Sequence, residues 1–126
     1  MKIELQYRGQ KFAIYAIVVN DGSCPAIEFL EQLKRNDIAS HKSIVSIYRR
    51  HAECGPILNI RKSRRIEGHD KLLEFKSKQG ARLIYFYLPD GKTVITHGFK
   101  KGAPAEEEYD KAEKMRAEYL KEVKNG

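Results

Sequence analysis

Basic side chains gather at three separated points of the sequence: "RKSRR" at 61–65, Lys76 and Arg82 on either side of "SKQGA", and "HGFKK" at 97–101. Cations delivered to one place from several elements are what RNA phosphodiester chemistry requires when no metal takes part. The ribose 2′-hydroxyl must lose its proton and align on phosphorus. Charge gathering on the non-bridging oxygens must be stabilised, and the departing 5′-oxygen must be protonated. Arginine binds two phosphate oxygens through its planar fork, whereas lysine acts as a compact charge. Preorganised donors in a partly dry groove contribute about 3–4 kcal/mol each when well aimed.

Arg82, Lys76, Lys100 and Lys101 are therefore the expected phosphate contacts, with Arg61, Lys62, Arg64 and Arg65 gripping the nucleic-acid backbone independently of base sequence. Candidates for acid and base are Glu74, His97 and Tyr109, because proton transfer needs a titratable group within hydrogen-bond reach. Each has a plainer alternative. Arg82 either touches phosphate or forms a structural ion pair with Glu74. His97 either reaches substrate or is a satisfied structural histidine. Tyr109 starts an apolar helical stripe and so also suits the core, and the Lys100/Lys101 pair also suits a solvated turn. Gly98 suits a close backbone approach and Phe99 an anchor in the core.

The elements that must position these residues are legible from periodicity. "KFAIYAIVV" (11–19) is rich in β-branched and aromatic residues and predicts a strand. In "CPAIEFLEQLKRN", Ser23 or Cys24 can cap, Pro25 suits the first turn, and Ile27, Leu30 and Leu33 share one face. "ASHKSIVSIYRRHAECG" carries Ile44, Val45, Tyr48 and Ala52 at helical spacing before Gly55 and Pro56 stop it. The two helices predict a hairpin packed on a sheet. Residues 57–71 are irregular. Strands follow at 71–78, 81–88 and 93–99, the last two joined by "PDGK", whose proline fixes φ and whose glycine allows positive φ. An up-down-up meander of this kind brings Arg82 level with Phe99–Lys101 and beside Lys76. Pro104 and three glutamates open a closing helix. The expected class is α+β, one domain over residues 1–126, its sheet covered on one face.

Composition narrows the partner. The chain has 126 residues, 41% hydrophobic and 33% charged, with net charge +7. From Ala103 onward there are five basic and seven acidic residues, against 19 basic and 10 acidic before it. A basic body with a mildly acidic last helix suits a polyanionic partner, and it also suits simple solubility. No apolar run approaches the roughly 20 residues that span a bilayer, and "MKIELQYRGQ" lacks the features of a signal peptide. No membrane association and a cytoplasmic location are expected. Cys24 and Cys54 have no CxxC or CxxH companion, so neither a metal site nor a disulfide is expected, and both suit buried or half-buried positions.

In their order, "GSCPAIEFLEQL" (22–33), "HAECGP" (51–56), "LLEFK" (72–76), "ARLIYFY" (81–87) and "THGFKK" (96–101) resemble the HigB-like, phage-derived branch of the RelE/ParE toxin superfamily. Its members show Gly-x-x-Pro-x-x-x-Phe-Leu, Leu-x-Glu-Leu-Arg, Tyr-Arg-Ile-x-Tyr and His-Gly-Phe-x-Lys-Lys patterns, matched over residues 12–122. The resemblance implies a twisted antiparallel sheet with an N-terminal helical hairpin and a C-terminal helix. It implies a type II toxin that cleaves mRNA without a metal or other cofactor, commonly on the translating ribosome, opposed by a helix-turn-helix antitoxin. Arg82, Glu74, Lys76, Lys100 and Lys101 fall on the family's pattern positions, Lys76 standing where the family has arginine and Ala81 where tyrosine is common. Some branches of the superfamily poison DNA gyrase instead, and a basic nucleic-acid-binding module without catalysis is a third reading.

Overall fold

The computed structural model describes residues 1–125. Two strands come first, β1 (Lys2–Arg8) and β2 (Ala13–Val18), then helices α1 (Pro25–Asn36) and α2 (Ile38–Cys54). Four strands follow, β3 (Ser63–Ile66), β4 (His69–Lys76), β5 (Ala81–Leu88) and β6 (Lys92–Lys100), before helix α3 (Ala105–Asn125). The strands form one six-stranded sheet in the order β1-β2-β6-β5-β4-β3. The class is α+β, but three features correct the sequence-based expectation.

First, the helical hairpin is not N-terminal, because strands precede it. β1 is written in the alternation of Ile3, Leu5 and Tyr7 with Lys2, Glu4, Gln6 and Arg8, and it pairs antiparallel with β2. Second, the sheet is mixed: β2 lies parallel to β6, with Ala13 opposite Lys92 and Ala16 opposite Ile95. Parallel neighbours need a long crossover, and here both helices and the meander intervene between them. Third, both faces are covered. Ala81, Leu83 and Tyr85 of β5 pack in the cluster that includes Leu30, Leu33, Ile44 and Tyr48 of α1 and α2. Ile84 and Phe86 pack in a second cluster with Tyr109, Ala112, Met115 and Tyr119 of α3. Burial on both sides explains why "ARLIYFYL" reads as a nearly continuous apolar run.

The joints follow local chemistry. Pro25 occupies the first turn of α1, and Cys24 sits at its cap position without a side-chain hydrogen bond. Asp37 alone separates α1 from α2 and caps α2, its Oδ1 accepting from the Ser40 N–H at 3.2 Å. The β5–β6 turn places Asp90 and Gly91 at φ 67° and 72°, the left-handed region that a tight hairpin demands. Cys24 is half-buried, but Cys54 is exposed at the end of α2, where the sequence suggested burial; both are free thiols. No helix among the described residues is long and apolar enough to cross a membrane.

Candidate nucleic-acid interface

The β4–β5 connection is a tight turn. Ser77 N–H donates to the Ala81 carbonyl and Ser77 Oγ accepts from the Ala81 N–H, both at 2.9 Å. Gly80 closes the turn at φ 99°, and its carbonyl accepts from the Lys101 N–H at 2.7 Å. That bond brings the chain leaving β6 across the turn. Lys76 faces Arg82 across β4 and β5, and Arg82 faces Phe99 across β5 and β6. The loop after α2 reaches the same place, since the Lys76 N–H donates to the Lys62 carbonyl at 2.8 Å.

Between these segments and α2 lies a cleft of about 630 Å³. Six cations line it: Arg61, Lys62, Lys76, Lys78, Arg82 and Lys101. Ser43, Ser46 and Ile47 of α2, with Asn59, Ser77 and Gly80, complete the lining, and no carboxylate among the described residues takes part. Burial, then the neighbouring Arg82 and Arg64 guanidiniums, hold the Lys76 ammonium below its ordinary pKa. Cations crowded together without a lining acid make a site for an anion.

Other expected site residues are placed elsewhere. Lys100 does not line the cleft; its Nζ lies 2.5 Å from Asp37 Oδ2. That ammonium, then Ser40, hold the Asp37 carboxyl down to about 2. Glu74 is fully buried and accepts from Arg64 Nε at 2.6 Å and from the Tyr109 hydroxyl at 2.9 Å. Arg82 does not pair with it: Glu74 lies opposite Ile84 and is neutralised from β3. Burial, then Glu74, push the Tyr109 hydroxyl pKa up. His97 is buried under α3, its Nε2 3.7 Å from Glu108 Oε1 and without a hydrogen bond. Burial, then Lys111, depress its pKa to about 4, so the ring is neutral near pH 7. Arg65 lines a separate groove of about 550 Å³ with Phe12, Leu58, Tyr85 and Tyr87.

Gly98 and Phe99 have structural tasks. A Cβ on Gly98 would overlap the Phe29 ring of α1 and stand 2.7 Å from the Arg82 carbonyl. Phe99 packs edge-on to Tyr109, 5.9 Å between ring centroids. Ser43, Ser46, Asn59 and Lys78 escaped the sequence reading. The only signal was weak: Ser43 and Ser46 are three residues apart, which puts them on one helix face.

Residues 31–122 match the family model described as phage-derived protein Gp49-like (DUF891). No curated protein matches the chain.

Proposed function

Because the chain belongs to the Gp49-like family of phage-derived proteins, a RelE/ParE-like toxin family, we propose that it is the toxin of a type II toxin–antitoxin pair and acts in its HigB-like manner. Residues 1–126 work as one toxin domain that cleaves mRNA without a metal, on the translating ribosome in the cytoplasm. A helix-turn-helix antitoxin opposes it. The observation that carries this reading is the carboxylate-free cleft lined by six cations from four segments of the chain.

In this mechanism Arg82 and Lys101 hold the non-bridging oxygens of the scissile phosphate, while Arg61 and Lys62 hold flanking phosphates. The 2′-oxygen forms its bond to phosphorus as the bond from phosphorus to the 5′-oxygen breaks. The products are a 2′,3′-cyclic phosphate and a 5′-hydroxyl end. The 2′-hydroxyl proton passes to solvent water, Lys76 adds a further positive charge beside the phosphate, and the Lys101 ammonium protonates the leaving 5′-oxygen. Glu74 and Tyr109 serve by fixing Arg64 and α3, and His97 by packing.

One observation favours a second reading: neither histidine nor carboxylate lines the cleft. A toxin that only binds, whether to gyrase, another protein or RNA, needs no proton-transfer group there. Inducible expression with mapping of mRNA 5′ ends separates the two. New 5′ ends during growth arrest support cleavage, and arrest with intact mRNA supports binding alone. If the Lys76→Ala/Arg82→Ala/Lys101→Ala variant folds and still cuts mRNA, the cleft is not the site.

A further inference from the structure

At the opposite end of β4 from Lys76, a buried histidine meets a row of carboxylates on α3. His69 is only 6% exposed. Its Nε2 lies 2.9 Å from Glu106 Oε2. Its Nδ1 lies 3.2 Å from Glu113 Oε2 but out of alignment, leaving that nitrogen buried without a hydrogen bond. Asp110 stands between the two glutamates on the same helical face, at spacings of four and three residues. One ligand atom from each of His69, Asp110 and Glu113 falls within 4.8 Å of the others.

We propose that His69 Nδ1, Asp110 and Glu113 bind a divalent transition-metal ion of zinc's ligand preference, which clips α3 to β4. The two ring nitrogens divide the work. A carboxylate that accepts the Nε2 proton fixes the tautomer in which Nδ1 presents its lone pair, the usual outer support of a metal-bound histidine. Glu106 holds that place. One imidazole and two carboxylates balance a doubly charged ion and suit zinc, whereas magnesium prefers oxygen ligands alone. Asp110 and Glu113 are exposed, which leaves room for water to complete the coordination. This site is separate from the cationic cleft and does not depend on the toxin reading. It departs from the expectation of no metal, which rested on cysteine spacing, because the ligands meet only when α3 lies on the sheet.

The test is calorimetric titration of zinc chloride into the full chain after dialysis against a chelator, with thermal melts alongside. One ion per chain and a raised Tm are expected. Glu106→Gln should weaken binding by roughly tenfold to a hundredfold, and His69→Gln or Asp110→Asn by at least as much. His69 is buried and its variant can unfold, so the exposed Asp110→Asn, checked by circular dichroism, carries the decision. No binding at millimolar zinc overturns the proposal. So does binding that Asp110→Asn leaves unchanged, which would place the ion elsewhere, or equal binding of magnesium. An ion pair of protonated His69 between Glu106 and Glu113 would show no metal uptake at all.

Discussion

Lys100 Nζ lies 2.5 Å from Asp37 Oδ2, so one of two adjacent lysines clasps the end of β6 to the junction between α1 and α2. Its neighbour Lys101 lines the cationic cleft. Strand alternation sends the two side chains to different surroundings, which gives the pair separable tasks. Lys100→Ala should lower Tm, and the deficit should shrink as pH falls from about 4 toward 2. The reason is that the Asp37 carboxyl, held down to about 2 in the fold, contributes stability above its unfolded pKa and loses it on protonation. Lys101→Ala should leave Tm unchanged and weaken RNA binding. Melts of both variants between pH 6 and 2 check the division.

Arg82 and Lys76 face each other across two strands with no acid in the cleft lining, so an anion should relieve their repulsion. Replacing either by alanine should weaken binding of a short single-stranded RNA uniformly across sequences. The slope of log affinity against log salt should fall by about 1 for each phosphate no longer neutralised. Fluorescence anisotropy at several salt concentrations reads both quantities. An unchanged slope would mean that these cations do not meet phosphate.

Tyr109 donates to the buried Glu74 carboxylate, which also receives Arg64. Tyr109→Phe removes one hydrogen bond to a charged group and should cost about 1.5–3 kcal/mol in urea unfolding. Glu74→Gln, which keeps the shape and loses the charge, should also destabilise the fold. At matched protein levels both variants should retain growth arrest, since neither residue lines the cleft. Loss of arrest with an intact fold would restore these residues as candidates for proton transfer.

His51 and His97 are both buried, and burial depresses each pKa to about 4. Their folded forms resist protonation that the unfolded chain accepts. Stability should therefore be undiminished above the ordinary histidine pKa of about 6.5 and fall as pH drops from there to 4. The penalty is up to about 3 kcal/mol for each ring. His97→Gln should flatten this dependence. Equilibrium unfolding at pH 7, 6, 5 and 4 supplies the comparison, and a wild-type profile flat between 7 and 4 would contradict it.

Much of the local architecture was written in short-range pattern. Leu30 and Leu33, with Ile44 and Tyr48, mark the packed faces of α1 and α2. Asp90 and Gly91 turn β5 into β6 and set the register near the turn, but a shift between Leu83 and Tyr85 is what brings Arg82 opposite Phe99, and no local pattern announces it. Pro104 and Glu106–Glu108 mark the start of α3. Apart from that shift, these features rest on backbone preferences and neighbouring contacts, which act along a few consecutive residues.

By itself, then, the sequence determined the helical hairpin, the meander and the gathering of cations at one end of the sheet. Only the tertiary structure decided which cations are free. Arg64 is matched by Glu74 and Lys100 by Asp37, while Arg61, Lys62, Lys76, Arg82 and Lys101 share a cleft that has no lining acid. Only there does β2 lie beside β6, α3 cover the second face, and His69 meet Asp110 and Glu113. Such partners are far apart along the chain, and no local propensity encodes them. Their selection belongs to the packing of both sheet faces, which fixes where each charge ends.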